Sequence, residues 1–342
     1  MHSEHIWALV LAAGDGRRLR ELTTTASGTV VPKQYCSLFE GQSLLQDAVS
    51  RAWAIAPADR ICAVVAANHR RWWLGDLQAM RSDNVLVQPQ NRGTGNGILL
   101  SLLHIVERDP EARVVLLPAD HYVEDEGELA RWLQVAATRL PPEEGDIVLL
   151  GFEPRSADPE LGYIVPQRIG GSRHSGVGAF VEKPPLGRAR ELVRQGALWN
   201  AFIIAADARA LLALYDPRWS EIVVWMRAAV RAQSAGDATI VQTLYEELPN
   251  IDFSRHILEA TTHPLRVLAV PQCGWSDLGT PERVGEAVLS GSPLRRHSLN
   301  LHSPLSLAAQ HARARGRYDW SAPGLVEFSQ GDYGHAAIAE VI

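Results

Sequence analysis

Short apolar runs alternate with longer segments of helical period through the first part of the chain. The runs IWALVLAA (6–13), ICAVVAA (61–67), NVLVQ (84–88) and RVVLLPAD (113–120) are apolar almost throughout. SLLQDAVSRAWAIA, HRRWWLGDLQAM and TGNGILLSLLHIVERD lie between them, and EGELARWLQVAATRL follows the last. An unbroken apolar run is what burial on both faces of a sheet requires, so the alternation predicts a parallel sheet with helices on both sides. Ligands of such sheets sit beyond the carboxyl ends of the strands.

After DIVLLGFEP (146–154) the pattern loosens. GYIVPQ, GAFVEKP, LWNAFIIAA and PLRVLAVP read as strands, and ARELVRQGA and 218–234 as helices. This half reads as a mixed α/β extension of the same sheet. Two regions follow: one domain over 1–289 and a small C-terminal appendage over 290–342, rich in Ser and Pro, without a clear period or a repeat.

Composition narrows the classes. With 342 residues, 46% of them hydrophobic, the chain can bury a large core, and disorder is excluded. A net charge of −6 without a basic block argues against a nucleic-acid surface. Cys36, Cys62 and Cys273 are far apart and show no metal or disulfide spacing. The first apolar run is too short to span a bilayer and lacks the basic flank of a signal peptide, so a cytoplasmic protein away from membranes is expected. Of the 33 basic residues only Lys33 and Lys183 are lysines. Lysine is a compact point charge suited to a single phosphate oxygen, which marks these two positions for attention.

The first strand runs into AAGDGRRLRELTT, placing Ala12, Ala13, Gly14, Gly16, Arg17 and Arg18 where a parallel sheet exposes backbone N–H groups. Glycines let the backbone approach phosphates and arginines neutralise them, although an ordinary turn between strand and helix would use the same glycines. The run is neither G-x-G-x-x-G nor a Walker loop. Lys33, in P-K-Q, lies where the chain can fold back over this loop; a solvated loop lysine is the plainer reading. Asp120 in PADH and Asp277 in GWSDLG each follow a strand, so two carboxylates can converge on Mg²⁺ beside phosphate oxygens, or each can simply cap a helix. Glu182 and Lys183 in FVEKP and Asn200 in LWNAF offer an acceptor, a cation and an amide, a set suited to sugar hydroxyls and a phosphate. The histidines show no zinc spacing, and no nucleophile elbow is present.

In order, LAAGDGRRLRELT, PKQ, QPQNRGTGNGI, LLPADHYV, GYI, FVEKP, LWNAFII, PNIDFSRHILE and GWSDLGTPERV resemble the sugar-1-phosphate nucleotidylyltransferases, most of all their mannose-1-phosphate guanylyltransferase branch. The resemblance spans about residues 6–287. It implies a Rossmann-like nucleotidyltransferase fold with a mostly parallel mixed sheet, and in-line attack of a hexose 1-phosphate on the α-phosphorus of a nucleoside triphosphate with Mg²⁺. It further implies small-molecule partners, GTP and mannose 1-phosphate foremost, and a homodimer. Carried over, Gly14 and Gly16 cradle the triphosphate, Arg18 holds the leaving pyrophosphate and Lys33 neutralises the reacting phosphates. Asp120 and Asp277 bind Mg²⁺. Gln88, Arg92, Gly93, Thr94 and Asn96 fall where the family meets base and sugar; Gly162, Glu182 and Asn200 face the sugar ring, and Lys183 its phosphate. The sequence departs from the family at Arg17, Arg20 and Glu21, and R-G-T-G-N-G replaces R-N-T-A-P-A. A heptose or 6-deoxyhexose substrate, or a silent sugar-nucleotide-binding subunit, are the competing expectations. The isomerase domain fused to longer members is not expected.

Overall fold

The apolar runs form one mixed sheet of nine strands in the computed structural model, which describes residues 2–290 apart from 26, 40, 139–146, 168–173, 217 and 238. The strands are β1 (Ile6–Ala12), β2 (Ile61–Ala66), β3 (Val85–Gln88), β4 (Arg113–Pro118), β5 (Ile147–Phe152), β6 (Tyr163–Pro166), β7 (His174–Val181), β8 (Leu198–Asp207) and β9 (Leu265–Val270). The helices are α1 (Leu44–Trp53), α2 (Arg70–Asp76), α3 (Gly93–Arg108), α4 (Glu126–Thr138), α5 (Leu186–Arg194), α6 (Ala208–Ala213), α7 (Ser220–Ser234), α8 (Thr239–Glu247) and α9 (Pro281–Ser290). The expected appendage lies outside the described residues, apart from the end of α9.

Strand order is β3-β2-β1-β4-β8-β5-β9-β7-β6, with β6 also pairing β8. β1 runs parallel to β2 and β4, β2 to β3, and β5 to β9, whereas β8 is antiparallel to β4, β5 and β6, and β7 to β6 and β9. Only β7 and β8 therefore oppose the common direction, which makes this the mostly parallel mixed sheet that the pattern predicts.

Alternate residues of β1 explain its unbroken apolarity. Ile6, Ala8, Val10 and Ala12 enter the core under α1 and α4, while Trp7 and Leu9 enter the core under α3, α6 and α7. Both faces are covered, so neither set tolerates a polar residue. The Ser43 side chain accepts from the Gln46 backbone N–H and Gln46 returns a bond to Ser43, a capping box that fixes where α1 begins. Among the described residues no helix is long and apolar enough to cross a membrane.

Two features of register position the site. A bridge between Tyr122 and Ser276 joins the loop after β4 to the loop after β9, carrying Asp120 and Asp277 toward each other. Tyr163 pairs with both Val181 and Trp199, so the adjoining residues Gly162, Glu182 and Asn200 meet at one point.

At the start of α3, Gly93 has φ of +84°, and a Cβ there would stand 2.4 Å from the Ile251 carbonyl oxygen. Both the left-handed backbone and the close approach demand glycine. Gly93→Ala should therefore lower stability by about 2–4 kcal/mol, read as a shift of the urea midpoint at unchanged m; a loss within experimental error would refute the account.

Candidate active site

A cleft of about 650 Å³ opens at the carboxyl ends of the central strands. Its middle is built by β1, β4 and β9. The loop after β1 brings Ala13, Gly14, Gly16 and Arg18 to the wall, and Gly16 adopts φ of +61° where it packs against the Lys33 backbone. Gln34 donates through Nε2 to the carbonyls of Ala12, at 2.9 Å, and Gly14, at 2.8 Å. Those bonds hold the loop open for a ligand. Composition and periodicity do not single out Gln34; its only signal is a polar residue next to the lysine.

Lys33 is 5% exposed, which overturns the solvated-loop reading. Its Nζ lies 2.8 Å from Asp120 Oδ2 and donates to the Asp277 carbonyl oxygen at 2.6 Å. Burial, the largest single influence, pushes the Asp120 carboxyl upward, but the groups around it, the Lys33 ammonium foremost, together outweigh burial, and the net shift is below the ordinary carboxylate value. The neighbouring His121 is pushed down to about 4 by burial and stays neutral at pH 7. Trp275 donates to its Nδ1 at 3.2 Å, so the ring proton resides on Nε2. The Asp277 carboxylate is held by Arg283 and by the Gly279 N–H through Oδ1. That arrangement leaves Asp120 Oδ1 and Asp277 Oδ2 without a hydrogen bond among the described residues. Two carboxylate oxygens facing a cleft suit a hard cation that also takes phosphate oxygens.

At one end stand the acids and amides. A Cβ on Gly162 would lie 2.6 Å from Glu182 Oε2 and 3.5 Å from Asn200 Nδ2, so the missing side chain is what lets the three groups converge. Asn200 Oδ1 accepts from the Phe202 N–H, whose residue has φ of +55°, and this fixes the amide. Lys183, exposed and at φ +48°, stands on the rim. Asn250, Asp252 and Glu160, which sequence reasoning gave no role, also line the cleft, and Glu160 pairs with Arg18 at 3.1 Å.

At the other end are Leu11, Val64, Gln88, Gly93, Thr94 and Gly97. Two expectations need correction here. The Arg92 guanidinium turns away from the cleft to the carbonyls of Tyr245 and Glu246, at 2.8 and 2.6 Å. Asn96 is fully buried outside the cleft and donates to the carbonyls of Arg92 and Pro249. Both side chains meet backbone rather than open space, because the 245–251 segment is packed against the start of α3. The Thr94 hydroxyl is likewise engaged by the Phe253 N–H. Ala12 is buried beneath the loop and contributes its carbonyl to Gln34 and Tyr35. The Arg17 side chain lies outside the described residues.

A family model described as nucleotidyl transferase matches residues 7–290. The chain belongs to this family. Among its relatives, alginate biosynthesis protein AlgA of Pseudomonas aeruginosa is 28% identical over 285 residues, covering 80% of this chain and 56% of AlgA. Mannose-1-phosphate guanylyltransferase of Escherichia coli is 26% identical over 312 residues, 86% of this chain and 64% of that protein. The chain thus spans a little over half the length of these curated relatives. A crystal structure described as mannose-1-phosphate geranyltransferase from Thermus thermophilus superposes with a TM-score of 0.71 at 27% identity, covering 84% of this chain and 80% of that one. A Helicobacter pylori structure described as mannose-6-phosphate isomerase, at 19% identity and TM-score 0.61, covers 80% of this chain and 99% of that one and shares the fold.

One carboxyl that lines the cleft, Glu182, is displaced toward neutral pH. Burial raises Glu182 from 4.5 to about 7, with Asp252 and Glu259 adding to the rise and Lys183 and Arg255 opposing it. Below pH 4.5 the folded and unfolded states both hold this proton, whereas between 4.5 and 7 the unfolded state loses it first, and stability falls as pH rises. Glu182→Gln removes that penalty. The variant should match wild type at pH 4.5 and exceed it by about 2 kcal/mol at pH 8, the group's partial exposure allowed for. Urea unfolding at the two pH values checks this, and a pH-independent difference would contradict it.

Proposed function

We propose that the chain transfers a nucleotidyl group from a nucleoside triphosphate to a hexose 1-phosphate with release of pyrophosphate, and that GTP and mannose 1-phosphate are the preferred pair. The observation carrying this reading is the Lys33–Asp120 pair beneath the glycine loop, midway between a hydroxyl-binding end and an apolar end that carries an amide. That is the order of parts in a triphosphate and a sugar phosphate meeting head to head. The guanylyl and mannosyl preference rests on the names of the relatives and on the PADH and WSD motifs.

An anionic oxygen of the sugar phosphate forms a bond to the α-phosphorus while the bond from that phosphorus to the bridging oxygen breaks, and pyrophosphate departs with the electron pair. The attacking oxygen is already deprotonated, so no general base is needed and the work is positioning and charge stabilisation. Lys33 supplies a fixed positive charge at the reacting phosphates. Arg18 meets the leaving pyrophosphate after exchanging Glu160 for it, an exchange of exposed partners worth at most about 1 kcal/mol. Glu182 and Asn200 accept from and donate to the sugar hydroxyls, and Lys183 sits on the sugar phosphate. Asp120 and Asp277 would hold Mg²⁺, which supplies further neutralisation of the phosphates when bound.

Pyrophosphate release from four nucleoside triphosphates against a set of sugar 1-phosphates tests the reading. GTP with mannose 1-phosphate should give the highest kcat/KM; another pair would replace the preferred substrates, and release from none would refute transfer. Asp120→Asn should abolish turnover. Lys33→Arg keeps the charge but forces a planar fork into a slot with two acceptors, so kcat should fall roughly 100-fold. A near-normal rate in Lys33→Arg would show that charge alone suffices.

A further inference from the structure

We propose that Tyr245 is a positioning residue for the nucleobase: its hydroxyl fixes the Gln88 amide so that N–H donors face the cleft, selecting bases with a keto oxygen over bases with an amino group. The inference rests on the transfer reading above.

Gln88 ends β3 and lines the cleft, yet is only 2% exposed. Leu11, Val64 and Gly97 line the same end, apolar or side-chain-free surfaces against which a planar ring can lie. Gly97 is required by the amide itself, since a Cβ there would stand 2.9 Å from Gln88 Nε2 and 3.2 Å from its Oε1. The amide is therefore confined to one place, with only its two-fold flip in question.

Tyr245 decides the flip. It lies in α8, fully buried, and its hydroxyl donates to Gln88 Oε1 at 3.2 Å. Burial keeps the phenol protonated, so the donor is permanent. In the reversed amide the phenol oxygen would accept from Gln88 Nε2, but the buried phenolic hydrogen would lose its acceptor, disfavouring that state by about fivefold. The phenol is itself anchored, because Arg92 donates to the Tyr245 carbonyl at 2.8 Å and to that of Glu246 at 2.6 Å. With Oε1 engaged, the amide has N–H groups to offer. Guanine O6 and the O4 of uracil or thymine accept such bonds, whereas the adenine and cytosine amino groups are donors and meet like with like.

The test compares kcat/KM for GTP and ATP, by pyrophosphate release at saturating sugar 1-phosphate, in wild type, Tyr245→Phe and Gln88→Glu. Wild type should favour GTP. Tyr245→Phe, which keeps the ring and removes only the hydroxyl, should narrow the GTP:ATP ratio about fivefold through KM, with kcat for GTP retained. Gln88→Glu, which has no N–H to offer, should narrow it further. The proposal is overturned if wild type favours ATP, if either variant keeps the ratio within about twofold, or if Tyr245→Phe lowers kcat equally for both nucleotides. Should Tyr245→Phe fail to fold, Gln88→Glu reads the same amide. Should wild type release no pyrophosphate with any triphosphate, the transfer reading fails instead, and calorimetric affinities of the same variants for GTP and ATP decide the inference by the same ratio.

Discussion

Lys33 Nζ stands 2.8 Å from Asp120 Oδ2 and 2.6 Å from the Asp277 carbonyl, almost out of reach of water. A buried ammonium without partners would cost several kcal/mol, so the two loops that supply its acceptors have to stay where they are. The bridge between Tyr122 and Ser276 draws those loops together from below. From the other side, Gly16 packs on the Lys33 backbone and the next side chain, Gln34, takes the carbonyls of Ala12 and Gly14. One dipeptide thus joins the ends of β1, β4 and β9. Residues far apart in sequence become one wall of the cleft because a single charge has to be satisfied.

The same burial divides the cleft by its response to pH. At the centre, desolvation leaves His121 neutral at pH 7, while the groups around Asp120, Lys33 foremost, together hold its carboxyl below the ordinary value against burial. Glu182, half-buried and not held ionised by Lys183 or Arg255, is the cleft carboxyl displaced toward neutral pH. A change of charge near pH 7 therefore belongs to the end of the cleft where Gly162, Glu182 and Asn200 meet.

The strands and most of the helices were legible because burial on both faces leaves no freedom: β1 must be apolar at every position to serve two cores. The placement of cleft residues was legible where they stand just past a strand, as with Gly14, Asp120 and Glu182, since strand ends are where such folds open; Asn200 instead lies within β8. It was not legible where position depends on pairing between distant strands. Nothing local says that β8 inserts antiparallel between β4 and β5, and the meeting of Gly162, Glu182 and Asn200 follows from that insertion and from the register of β6. Gln34 and Tyr245 were missed for a related reason, because each acts through a bond to another residue's carbonyl or amide, and residue type does not reveal the partner.

The run R-G-T-G-N-G shows how far packing can redirect a motif. Read as sequence, it offers an arginine, a threonine and an asparagine beside flexible glycines, a natural ligand loop. In the fold the glycines are contact surface, since a Cβ at Gly93 or Gly95 would fall within 2.6 Å of Ile251. Arg92 and Asn96 grip the carbonyls of Tyr245, Glu246 and Pro249. Cation, amide and glycines together dock the 245–251 segment onto the N-terminal turn of α3. That docking places the Tyr245 ring beneath Gln88. The run that departs from R-N-T-A-P-A thus orders the groups at the apolar end without any of its buried side chains reaching the cleft.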